Sequence, residues 1–416
     1  MTPQPGARRT AWSRRALILT AAAAALVAIY VVRWLAESPG EIARSDFVPL
    51  QVAGVVVRSG DAAELYDPVR QAQVYAAVTA SNHPGTLFYI HAPIAALLLV
   101  PFSLAGLDGA FRLWGLSQLA CLVAAAVIAA RAAPPRAHGP AVTALAAAAG
   151  LAVPSTMLML LEGQDVGVPA LLLACAYLAM RRRRPALAGA ALAVAALAGK
   201  PHLFLGIAVW VLFWGDRRLI AGAVGGAVVA TLVSLAAVGP AGVGGFVSAL
   251  LSGRSDFPNA QESVAGLFTG WTGGGAGATA LAALATAAAL VVVAVAARRA
   301  GSGRMSLEAS LAVAAVLSLV CAPHLYPHDL ALLAPVFAWM TVGAVAPDAD
   351  SRAVRPGAAA AVVAGVWALV TACLAVDSIG VLPAAAGSLG PFALAGAAVA
   401  VWLCPSRSMT VARSAS

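Results

Sequence analysis

The run from Ala16 to Ala36 reads ALILTAAAAALVAIYVVRWLA, and Glu37-Ser38-Pro39-Gly40-Glu41-Ile42-Ala43-Arg44-Ser45-Asp46-Phe47 follows it. About 20 apolar residues suffice for a helix to cross a bilayer core, so a membrane span ends here and polar chain begins. Arg8, Arg9, Arg14 and Arg15 precede the run in the manner of a signal peptide. Many more apolar runs come after it, which favours an uncleaved first helix. Its basic flank puts the N-terminus in the cytoplasm and the interval from Glu37 to Pro93 outside. That interval is the one long polar stretch of the chain, and it carries His83, Tyr89 and His91.

The chain is 61% hydrophobic and 10% charged, whereas a soluble domain carries about 25% charged residues. Further apolar runs lie at 93–107, 112–131, 140–160, 166–180, 185–199, 203–214, 219–239, 276–297, 306–322, 328–346, 357–376 and 389–404. Unpaired strand edges cannot face lipid. The expected fold is therefore all-α, a multi-pass transmembrane bundle of about 11–13 spans with a long extracytoplasmic loop after the first. No shift in composition divides residues 1–416, so a single integral membrane domain is expected.

The formal charge is +9, from 25 arginines and the single Lys200 among 26 basic residues. Most arginines close apolar runs: Arg181 to Arg184, Arg217-Arg218, and Arg298-Arg299 with Arg304. This is the pattern of cytoplasmic loops rather than of a nucleic-acid patch. Cys121, Cys175, Cys321, Cys373 and Cys404 are scattered, with no metal or disulfide spacing.

Walking outward from the arginine blocks sorts the polar residues. Gly163-Gln164-Asp165, Lys200-Pro201-His202 and Pro323-His324-Leu325-Tyr326-Pro327-His328-Asp329 fall on the external side, with a second external loop over 240–275. This parity holds only if the short, Pro101-bearing run 93–107 does not cross fully. Titratable groups gathered at one membrane face point to a site there.

Each candidate has a plainer reading beside its chemical one. Asp46 is either the N-cap of a short helix or a general base. Tyr66-Asp67-Pro68 reads as a turn. Arg58, Arg70 and Arg254 can grip a phosphate or rest against lipid headgroups. Lys200 offers a compact ammonium for a phosphate, or a snorkelling flank. His324 and His328 have the i,i+4 spacing of helical metal ligands, but Pro327 lies between them, so hydrogen bonding to phosphate or sugar is preferred. Gln164-Asp165 and Asn259-Ala260-Gln261-Glu262 pair amides with carboxylates, as sugar sites do.

Taken in order, several segments resemble glycosyltransferase family 87: Asp46-Phe47, Leu65-Tyr66-Asp67-Pro68, Phe88 to Pro93, Gly163-Gln164, Lys200-Pro201, Gln261 to Leu267 and Pro323 to Leu330. Two positions depart from the family's habit: His91-Ala92 stands before Pro93 in place of Tyr-Pro, and Val166 replaces an Asn. The resemblance implies a GT-C fold and sugar transfer at the extracytoplasmic face of the cell membrane. The donor would be a polyprenyl-phosphate sugar, most simply of mannose with arabinofuranose as the alternative, and the acceptor a lipid-linked or envelope glycan. It implies Asp46 as catalytic base. Lys200, His324, His328 and Arg254 would take the donor phosphate. Gln164, Asp165, His91, Tyr89, Gln261 and Asp329 would take sugar or acceptor. The expected partners are thus these lipids and the membrane, with no nucleic acid and no cofactor. A secondary transporter or lipid-linked-sugar flippase is the competing class, although no internal repeat is visible.

Overall fold

The computed structural model describes residues 5–80, 87–134, 138–251 and 263–345. Among these residues the regular structure is helical. Helix α1 (Pro5–Leu35) holds the first span. The polar interval after it is mostly folded rather than loop. Ser38 and Glu41 form a capping box on the short α2 (Pro39–Ile42), and α3 (Phe47–Arg58) and α4 (Pro68–Thr79) follow. Asp67 caps α4, its Oδ1 accepting from the Val69 N–H at 2.7 Å, as the turn reading requires.

Helix α5 (Pro93–Leu99) has only 7 residues, a rise of about 10 Å, so the 93–107 run falls well short of a crossing. Then come α6 (Leu107–Ala132), α7 (Pro140–Leu151) and α8 (Pro154–Glu162), the last two bent by 56°. Proline starts both. Helices α9 (Gly167–Arg181) and α10 (Pro185–Ala198) are joined through the arginine block, and α11 (Leu205–Phe213) leads to α12 (Arg217–Leu251). The expected external loop from residue 240 begins as helix: α12 kinks at Gly239-Pro240 and continues. Helices α13 (Val264–Thr272), α14 (Ala276–Gly301) and α15 (Leu307–Val320) precede a 3-10 helix, Pro327–Leu333, that runs into α16 (Ala334–Val345).

By length and composition, four described helices can cross a membrane, or five if α7 and α8 make one bent span. The other apolar helices are shorter, several cut by prolines, and the runs 357–376 and 389–404 lie outside the described residues. Only 11%, 22% and 17% of the apolar stretches of α1, α12 and α14 are buried within the molecule, so these helices turn apolar faces outward to lipid. Helix α15 is buried from Ser310 to Val320. This is an all-α, multi-pass membrane protein.

Lipid supplies no hydrophobic force between helices, so close backbone approach does much of the packing. A Cβ at Gly189 of α10 would meet Leu219 O at 2.0 Å, and one at Gly222 of α12 would meet Ala186 O at 1.9 Å. The small residues let α10 and α12 touch, and α10 carries Lys200 at its end. Gly222→Val should lower stability by about 1–3 kcal/mol through overpacking. Gly225→Ala, where an added Cβ meets nothing within 4 Å, should change it by less than about 0.5 kcal/mol. Equal losses in thermal unfolding of the two variants would contradict this packing.

Candidate active site

The breaks between helices converge on one cavity of about 560 Å³. Its wall takes Asp46 from the start of α3, Tyr89 and His91 from before α5, Gln164 from the α8–α9 turn, Lys200 from just after α10, and His324 with Tyr326 to Asp329 from the α15–α16 connection.

Asp46 stands at the N-cap position of α3, yet its side chain makes no capping bond. Its Oδ2 accepts instead from Gln164 Nε2 at 2.6 Å. Gly163 makes this possible. Its φ of 64° ends α8, and a Cβ there would come within 2.5 Å of Phe47 Cβ, so only glycine lets the turn press against α3. Trp114 Nε1 donates to Gly163 O at 2.9 Å and fixes the turn from behind.

Tyr89 is 1% exposed. Buried Gln71 holds its backbone from both sides, accepting from the Tyr89 N–H at 2.6 Å and donating to Tyr89 O at 3.3 Å. Its hydroxyl donates to Ala92 O at 3.0 Å, and its ring stacks on His91 with centroids 5.5 Å apart. His91 Nδ1 lies 2.8 Å from Asp165 Oδ2. Asp165 is therefore behind the imidazole and off the cavity wall. Burial by itself raises the Asp165 carboxyl, but His91, with Lys200 beyond it, outweighs burial and holds it below the usual range.

Lys200 Nζ donates to Asp329 Oδ1 at 2.7 Å and lies 3.3 Å from His328 Nε2. Asp329 Oδ2 accepts from the Tyr326 N–H at 3.1 Å and so also caps the 3-10 helix. Burial opposes the charge on Asp329, yet the ammonium beside it prevails and brings the carboxyl down to about 2. The Lys200 ammonium, likewise penalised by burial, is kept charged by Asp329 and Asp165. Burial lowers His328 to about 4. It is neutral near pH 7, and its Nε2 can accept from Lys200.

Asp46, Gln164, Lys200, His91, Tyr89, His324, His328 and Asp329 thus share one cavity. Arg254 and Gln261 lie outside the described residues. His324 and His328 do not share a helix face, because residues 324–326 are non-helical and Pro327 opens the next turn. The sequence reading passed over two cavity residues, Arg44 and Glu162. Arg44 makes no ion pair among the described residues. Its signal was available: it is an arginine in the polar interval after the first span, apart from the blocks that close the later apolar runs.

The fold and the cavity define a membrane-embedded protein with a polar, charge-paired binding chamber. Residues 89–323 match the sequence profile of glycosyltransferase family 87, and the chain belongs to that family of membrane glycosyltransferases. His324 borders the matched stretch, and Asp46 lies well before it. No curated protein and no solved structure gives a significant match.

The neutral burial of His328 sets a pH dependence. Its folded value of about 4 lies under the ordinary 6.5, so the unfolded chain binds the extra proton between them. The contribution of His328 should be flat above pH 6.5 and fall by up to roughly 3 kcal/mol towards pH 4. Between pH 7 and pH 4.5, thermal unfolding of the native protein should therefore shift towards lower stability relative to that of His328→Gln. An unchanged decline in the variant would contradict this assignment.

Proposed function

We propose that the cavity transfers mannose from a polyprenyl-phosphate donor to a lipid-linked or envelope glycan acceptor, with inversion, at the extracytoplasmic face of the cell membrane. The observation that carries this reading is the Asp46 carboxylate, released from helix capping and held by Gln164 on a wall shared with Lys200, His328 and Arg44.

Asp46 takes the proton of an acceptor hydroxyl as that oxygen attacks the anomeric carbon. The bond from this carbon to the phosphate oxygen breaks, and polyprenyl phosphate leaves with the electron pair. A phosphate needs no proton to depart, only groups that hold its added negative charge. Lys200 has three N–H donors. One is used by Asp329 and a second faces His328, which leaves the third for the phosphate. With Lys200 paired to Asp329, Arg44 supplies a second cation on the wall, without an ion-pair partner among the described residues, and His324 stands beside them. Asp165 and Asp329 act through His91 and Lys200 as positioning residues rather than as sugar contacts. Arg254 and Gln261 keep their sequence-based roles at phosphate and acceptor. One base without a covalent partner leads to inversion, by analogy with inverting sugar hydrolases.

Size and surroundings agree with a lipid donor. A cavity of about 560 Å³ is within the usual range for small ligands and takes a sugar phosphate, not its prenyl chain. Ile90 and Leu250 on its rim are each 51% exposed, which suits a chain lying between helices. Arabinofuranose is the alternative sugar within the family. Family membership favours transfer over transport or flipping.

Purified protein supplied with labelled polyprenyl-phosphate mannose or arabinofuranose tests the reading. Asp46→Asn should slow transfer by about 10²–10⁴-fold while leaving thermal unfolding nearly unchanged. Undiminished transfer in this variant would sink the mechanism. Arg44→Gln should raise the donor KM and lower kcat, together costing about tenfold or more in kcat/KM, the loss expected for one charge-assisted contact of roughly 1.5–3 kcal/mol. An Arg44→Gln enzyme with native kinetics would remove Arg44 from the phosphate site.

A further inference from the structure

A second cavity, of about 470 Å³, opens at the far end of α3. It takes its α3 residues from Gln51, Val55 and Arg58, whereas the sugar-transfer cavity takes Pro49 and Leu50 from the start of the helix. The wall includes Gln51, Arg58, Arg70, Ser103 and Gly106, with Val55 and Val78 among its apolar residues. Arg70 is held in place by an ion pair with Asp61, which in turn accepts from Ser59 Oγ at 3.0 Å. Arg58 is exposed and makes no ion pair among the described residues. Two guanidiniums against one carboxylate leave a net positive charge.

Three further features favour a polar anionic ligand over bare solvent. Gln51 is 2% exposed; its Nε2 donates to Ala105 O at 3.2 Å, while its Oε1 has no partner. Arg70 Nε is also buried without a partner. Helix α6 starts beside the cavity at Gly106 with no side-chain cap, so its first N–H groups and positive dipole end are available to an anion. The surroundings also identify the source. Leu104, next to Ser103, is 73% exposed, and Val69, next to Arg70, is 64% exposed. In a chain already turned to lipid, apolar side chains at that exposure mark the bilayer rather than water.

We infer that this cavity holds the phosphate headgroup of an anionic membrane lipid. Arg58 and Arg70 face the phosphate, Gln51 supplies an acceptor for a headgroup hydroxyl, and the acyl chains run along Val55 and Val78. The site is separate from the sugar-transfer cavity, and its test does not depend on transfer.

The full-length protein in nanodiscs of phosphatidylcholine, with and without a minor fraction of phosphatidylglycerol, provides the test. Native mass spectrometry should find phosphatidylglycerol retained on the wild type and at least about fivefold less on Arg58→Gln, which leaves the Asp61–Arg70 pair intact; one charge-assisted contact is worth about that factor or more. Arg58→Gln/Arg70→Gln should retain none above background. Thermal unfolding should rise with phosphatidylglycerol most in the wild type, less in Arg58→Gln and not at all in the double variant. Equal retention by all three proteins would overturn the inference. Stabilisation by inorganic phosphate equal to that by the lipid, with displacement of the lipid, would overturn the lipid assignment and leave a free-anion site.

Discussion

The contact between Lys200 and Asp329, 2.7 Å across and 129 residues apart in sequence, is the constraint on which the site depends. It ties the end of α10 to the start of the 3-10 helix before α16. Such a pair is weak evidence for stability, because desolvation offsets most of the attraction, and well-packed apolar residues often do as well. Deleting one partner is different, since it strands a buried charge at about 3–5 kcal/mol. A chain this apolar that keeps the pair is holding two connections in register. The charge left over after pairing is then what a substrate meets.

The same rule governs the other carboxylates. Asp46 is bonded to Gln164, 118 residues away, and Asp165 to His91, 74 residues away. Each pair joins two breaks between helices. The helices, packed through small residues such as Gly189 and Gly222, bring those breaks together. Burial keeps His328 neutral, while the Lys200 ammonium keeps Asp329 ionised against burial. Arg44 precedes α3 and Arg58 ends it, and neither has an ion-pair partner among the described residues.

Much of this was legible from the sequence. Rare polar residues in an apolar chain stand out, so Asp46, Gln164, Lys200, His328 and Asp329 could be picked by type and position. Their pairing could not. Contacts over more than a hundred residues leave no local pattern, and Lys200 therefore read as a free cation although Asp329 occupies it. The 37–93 interval read as a loop because α4 is polar enough to resemble one and α3 is too short for a span. Gly239-Pro240 read as a helix end, but α12 bends there and goes on. The i,i+4 histidine spacing failed for the reason the sequence itself offered, since Pro327 starts a new turn. Arg44 was passed over because arginine in this chain usually marks topology.

The most direct measurement is a structure of the protein with a non-hydrolysable polyprenyl-phosphonate sugar bound. In that structure the anomeric carbon should lie in the chamber with its open face towards Asp46, the phosphonate against Lys200 and Arg44, and the prenyl chain leaving past Ile90 and Leu250. A sugar seated with its anomeric carbon away from Asp46, or a phosphonate held outside this chamber, would contradict this mechanism.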